Sequence, residues 1–168
     1  CWGSIEVNFL NNLSDIRIAI AGDLHGSWSQ DDLDLLLALN PDGVLFVGDL
    51  SDGDLRIVRA ISKISIPTSV ILGNHDRGKD GSGEILKAQL DLLGDKNCAW
   101  NLSKWKLNEL SVVGARPCSG GGGFFLTQEV KSVFGEVSLD ESVFRIVSAA
   151  KSAPLDFPLL ILAHSGPV

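Results

Sequence analysis

Asp23, His25, Asp49, Asn74, His75, Asp76 and His164 offer carboxylate, amide and imidazole groups that could hold metal ions. They include all three histidines of the chain. Hard cations take carboxylate and amide oxygens, and borderline transition metals also take imidazole nitrogen, so a cluster offering both suits Mn, Fe or Zn. Asp23 and His25 are two residues apart. On a strand-like exit such residues point to the same side, where both can reach one ion. Singly, each residue has an ordinary explanation. An Asp often caps a helix, Asn74-His75-Asp76 could be a polar turn, and a lone histidine is more often a satisfied structural residue than a ligand. Their shared placement is the informative signal.

That placement is the end of four short apolar runs, Ile16–Ala21, Val44–Val47, Ser69–Leu72 and Leu159–Ala163. The runs are followed by Gly22-Asp23-Leu24-His25, Gly48-Asp49, Gly73-Asn74-His75-Asp76 and His164. The first three are separated by segments with helical periodicity. Ser29 caps a helix with Leu33, Leu36, Leu37 and Leu39 as its apolar residues, and Asn40-Pro41 stops it. Asp52 or Gly53 opens a second helix carrying Ile57, Val58, Ile61 and Ile64. The third is expected over Ser82–Leu93, with Gly94 as its stop. Strand–helix alternation of this kind predicts a parallel sheet with right-handed crossovers, whose open crevice lies outside the carboxyl ends of the strands. The metal-capable residues fall there.

The second part of the chain reads differently. Strands are expected at Cys98–Leu102 and Trp105–Ala115, with a turn at Asn108-Glu109 and Trp100 and Trp105 in packing roles. Gly120–Gly123 forms a loop, and Thr127–Phe134 a short helix. The capping box Ser138-x-x-Glu141 starts a helix expected to bury Leu139, Val143, Ile146 and Val147. Residues 1–15 read as a leading segment with a short strand at Ile5–Phe9, and residues 16–168 as one domain.

The chain has 168 residues, 45% of them apolar, and a net charge of −7, so it can build a core and lacks the basic surface of a nucleic-acid binder. Three cysteines without regular spacing make no disulfide framework, which favours a reducing compartment. Without a signal-like or membrane-length apolar segment, the expectation is an intracellular protein, cytoplasmic or organellar (a plastid included). The chain contains no Met and ends four residues after His164, and is read as an internal fragment.

In chain order the four exits carry D-x-H, G-D, G-N-H-D and A-H, and this set resembles the calcineurin-like metallophosphoesterase superfamily, whose pattern is D-x-H, G-D, G-N-H-[DE], H and G-H-x-H. The resemblance is strong over residues 16–76 and looser beyond. It implies an α/β fold, a four-layer α/β/β/α sandwich with mixed sheets, here incomplete, around two divalent or trivalent metal ions (Mn, Fe or Zn). It further implies that Asp23 and His25 bind the first ion, that Asp49 bridges both, and that Asn74 and His164 bind the second. His75 would protonate the leaving oxygen, with Asp76 orienting it by a hydrogen bond. Arg77 is a candidate for contacting a phosphoester substrate. Two cations roughly 3.5–4 Å apart lower the pKa of a bridging water and hold the phosphoryl oxygens for attack.

The sequence departs from the pattern in lacking G-H-x-H, which is assigned to sequence past Val168; residues 1–168 alone are therefore expected to bind metal weakly and turn over little. Gly48–Gly53 reads G-D-L-S-D-G, without the arginine of the protein Ser/Thr phosphatase branch. Two other readings stand beside the hydrolase: a catalytically silent scaffold of the same fold that binds protein partners, and a flavodoxin-like nucleotide binder. The latter gives no reason for three histidines at strand exits.

Overall fold

The computed structural model describes residues 16–105, 110–118 and 126–164, together with the backbone of residues 2–7. The expected turn at Asn108-Glu109 and the glycine loop Gly120–Gly123 lie outside the described residues. The first sheet contains β1 (Trp2–Val7), β2 (Ile16–Ala21), β3 (Gly43–Val47) and β4 (Thr68–Ile71), in the order β1-β2-β3-β4. β2, β3 and β4 run parallel, and β1 lies antiparallel on β2 with Val7 opposite Ile16. The segment before residue 16 thus supplies an edge strand, two to three residues earlier than the expected Ile5–Phe9.

Crossover helices α1 (Gln30–Ala38) and α2 (Leu55–Ser62) join the parallel strands, and α3 (Glu84–Leu93) follows β4. Period-two alternation sorts the strand side chains onto two faces. Ala19, Ala21, Val44, Phe46, Val70 and Leu72 face the helices and pack with Leu33, Leu36, Ile57, Val58, Ile61 and Leu86. Ile16, Ile18, Leu45 and Ile71 face the other way. Ser29 caps α1 as expected, and the bond is reciprocal, with Ser29 Oγ accepting from Asp32 N and Asp32 accepting from Ser29 N. The cap of α2 is Asp54, not Asp52 or Gly53, and that leaves Asp52 free for another task. α3 has Gly83 at its N-cap, without a side-chain cap. Asp80 takes over that role, and the Ile85 and Gly83 amides bonded to its carboxylate hold its pKa down at about 2.

The second sheet contains β5 (Leu102–Trp105), β6 (Leu110–Gly114) and β7 (Leu159–Leu162), with β5 antiparallel and β7 parallel to β6. It covers the free face of the first sheet. Trp105, Leu110, Val112 and Leu162 meet Ile16, Ile18, Leu45 and Ile71, and Trp105 Nε1 donates to Ser69 Oγ at 3.0 Å. Both sheets are mixed, as the four-layer sandwich requires. The strand expected at Cys98–Leu102 is displaced: Cys98–Asn101 is a turn bonded to Val70 and Gly114, and the hairpin begins at Leu102. Burial pushes the Cys98 thiol up to about 12, in keeping with a free, inert cysteine.

Two more helices follow, α4 (Gln128–Phe134) and α5 (Leu139–Lys151). α5 is capped by Ser138 as predicted, but its inward face is not the predicted one. Ser142 is buried and accepts a hydrogen bond from Trp100 Nε1 at 2.9 Å, and Arg145, one turn on, stacks over the Trp100 ring. With that contact fixed, Leu139, Val143 and Val147 turn outward and are 54%, 49% and 41% exposed; Ile146 is half-buried. Leu37 and Leu39 of the α1 region are also largely outside the core. Among the described residues no helix is long and apolar enough to cross a membrane.

Candidate metal centre

The carboxyl ends of β2, β3 and β4 lie side by side, so the loops after them must pack against one another. The loop after β2 leans on the loop after β3 through four successive amides. Asp23 N donates to Gly48 O, Leu24 N and His25 N to Asp49 O, and Gly26 N to Leu50 O, at 2.7–3.1 Å. These bonds hold Asp23 (φ 59°) and His25 (φ 47°) in left-handed conformations instead of a strand-like exit. Asp49 (φ 49°) and Asp52 (φ 48°) share that conformation. Each such residue costs on the order of 1–3 kcal/mol, and strain of this kind concentrates at functional sites.

Two glycines explain how close the loops come. A side chain on Gly73 would collide with the Asp49 carboxylate and amide nitrogen. One on Gly48 (φ +67°) would lie 2.5 Å from His164 Nδ1 and 2.9 Å from Gly73 Cα. The glycines of G-D and G-N-H-D are therefore what lets Asp49 and His164 meet.

Asp49 is the buried middle of the cluster. Its Oδ1 accepts from His75 N at 2.9 Å, and its Oδ2 lies 3.2 Å from His164 Nε2. His164 Nδ1 is 3.0 Å from Val47 O, a bond it can only donate, which turns Nε2 toward the carboxylate. On the other side of Asp49, ligand atoms of Asp23, His25 and Asp49 all lie within 4.8 Å of one another. Asn74 is half-buried in the turn that carries His75, and its backbone oxygen accepts from Arg77 Nη1 at 3.2 Å.

Asp76 and Arg77 stand apart from their expected roles. Asp76 is fully buried, and its carboxylate accepts from Leu50 N, Ser51 N, Ser51 Oγ and Gly73 N at 2.7–3.1 Å. Those bonds tie the loop after β3 to the loop after β4, and none goes to His75. The carboxylate beside the His75 ring is Asp52, whose Oδ1 lies 3.6 Å from His75 Nδ1 and 3.1 Å from His25 Nδ1. Sequence reading passed over Asp52 as a helix opener; its spacing three residues beyond Asp49 was the available signal. Arg77 points into the fold, with Nε 3.9 Å from Glu129 Oε2 on α4.

His25 is the most strongly engaged imidazole. Its Nδ1 faces Asp52, its Nε2 lies 3.1 Å from Asp23 Oδ1, and its ring meets that of His75 edge-on, centroids 4.8 Å apart. The hydrogen bond it donates to Asp52, together with the charges of Asp52 and Asp23, raises its pKa above the ordinary 6.5. Among the described residues two overlapping cation-capable groups result, Asp23/His25/Asp49 and His25/Asp52/His75.

Two mixed sheets packed with helices, with carboxylates and imidazoles gathered where parallel strands end, make an α/β fold with a cation-capable edge. The family model for calcineurin-like phosphoesterases matches residues 16–164, and the chain belongs to that family. No curated protein and no solved structure gave a significant match.

Proposed function

We propose that the protein hydrolyses phosphoester bonds at a dinuclear metal centre. The observation that carries this reading is Asp49: one buried carboxylate is grouped with Asp23 and His25, ligand atoms within 4.8 Å of one another, and also lies 3.2 Å from His164 Nε2. The donor set fits two borderline cations, since each side offers both carboxylate oxygen and imidazole nitrogen. Asp23 and His25 would hold the first and His164 and Asn74 the second, with Asp49 shared. When bound, such ions supply a nucleophile at neutral pH and positive charge for the phosphoryl oxygens.

The chain's own residues do the rest. The His75 side chain is 43% exposed, beside the ligands and open to solvent, where a leaving oxygen could take its proton. Asp52, 3.6 Å from its Nδ1, holds that side of the ring and leaves Nε2 as the nitrogen that faces outward. Asp76 acts at a distance from the reaction, by fastening the loop of Asp49 to the loop of His75. For the full-length protein the expected assay is turnover of p-nitrophenyl phosphate or bis-p-nitrophenyl phosphate with Mn²⁺, abolished by chelator and restored by metal. Metal-loaded protein that turns over neither ester would favour the non-catalytic scaffold instead.

A further inference from the structure

Gln89 sits on α3, 13 residues beyond Asp76, and is fully buried. A buried amide must find partners; besides a long 3.5 Å bond to Ile85 O on its own helix, those of Gln89 lie in the two loops of the metal centre. Its Nε2 donates to Asp76 O at 2.5 Å, which sets the amide's orientation and turns Oε1 toward Ser51. Ser51 Oγ is 2.7 Å from that oxygen and 3.0 Å from Asp76 Oδ1, so its one proton is divided between them. The same Oγ accepts from Gly53 N at 3.1 Å. A serine hydroxyl that accepts from the amide two residues on forms a local turn, and the residue inside this turn is Asp52. Asp52 takes a left-handed φ of 48° there and puts its carboxylate between the rings of His25 and His75.

We propose that Gln89 is a positioning residue for this centre: through Ser51 it sets the turn that places the Asp52 carboxylate between His25 and His75. It touches neither histidine. Its contribution is to deny Ser51 other rotamers, in a pocket where an unpaired hydroxyl would be costly. The effect on turnover rests on the phosphoesterase reading above; the effect on the histidine rings does not.

The test uses the metal-free chain and ring-nitrogen NMR, because its three histidines all belong to the site. Gln89→Leu should move the His25 and His75 ring signals and leave His164, held by Val47 O, in place. If Gln89→Leu does not fold, Ser51→Ala removes the next link and should move the same two signals. In metal-loaded protein each variant should lower kcat about 10–100-fold with KM little changed, the size typical of groups that orient a ligand. A purely structural glutamine would lower Tm and leave the ring signals and kcat alone. Unmoved His25 and His75 signals, or moved signals with unchanged kcat in an active enzyme, would overturn the role. Wild-type protein without any esterase activity would instead sink the functional reading, while the ring signals still decide whether Gln89 places Asp52.

Discussion

The two sides of the candidate centre are held in opposite ways. Asp49 and His164 have side chains only 7% and 13% exposed, and both are bonded to backbone. Asp23, His25, Asp52 and His75 are 68%, 40%, 45% and 43% exposed and hold one another through side chains. The first side is a frame. Its geometry comes from loops packed so closely that only glycine fits at 48 and 73, and from the buried Asp76 carboxylate that joins them. The second side is open to water, as groups that must meet a substrate have to be, and its geometry depends on the strained turns at 23–25 and 52. A closely packed, backbone-bonded frame next to solvent-exposed carboxylates and imidazoles is an arrangement suited to metal-assisted hydrolysis.

The largest effect should come from removing the shared residue. Asp49→Asn keeps the shape of the frame but takes away the charge common to both groups of ligands, so metal uptake and turnover should fall together; calorimetric titration with Mn²⁺ reads the first and ester hydrolysis the second. His75→Ala should separate the two. Turnover should drop ~10²–10⁴-fold, the usual worth of a general acid, while Mn²⁺ affinity stays near wild type. Comparable loss of metal affinity would place His75 among the ligands.

Gly73→Ala attacks the frame alone. The added methyl meets Asp49 Oδ1 and N, and relieving that overlap should cost about 1–3 kcal/mol of stability in denaturant unfolding. A neutral result would mean that the loops are looser than the contacts at Gly73 require. The smallest effect belongs to the open side. Asp52→Asn should cost about 10–100-fold in kcat. In metal-free protein it should also lower the pKa of His25, because the hydrogen bond that His25 donates to Asp52 is the main cause of its upward shift. The sign follows from linkage: a histidine with a raised folded-state pKa stabilises the metal-free chain fully below 6.5 and loses that contribution as pH rises through the raised value. Wild type and Asp52→Asn should therefore differ most in stability at mildly acid pH and converge toward alkaline pH.

The strand exits were legible because chemistry and topology agree there. Asp23, His25, Asp49, Asn74 and His164 stand at the ends of apolar runs, and parallel strands bring their ends to one edge. Which carboxylate faces His75 was not legible. Asp76 adjoins it in sequence, yet the left-handed turn at Asp52 brings a residue from another loop to the ring and leaves Asp76 to satisfy buried amides. Gln89 was similarly hidden, since a polar residue on an amphipathic helix reads as solvent-facing. On α5 the pattern of large apolar residues suggested one face, but the Trp100–Ser142 bond selects another. A hydrophobic periodicity tells how wide an apolar stripe is, not which tertiary contact fixes its rotation.

The shared carboxylate is tested most directly by electron paramagnetic resonance of the protein loaded with Mn²⁺. The account predicts the signature of an exchange-coupled pair of ions, absent in Asp49→Asn. Spectra of isolated single ions at every loading, unchanged by Asp49→Asn, would contradict it.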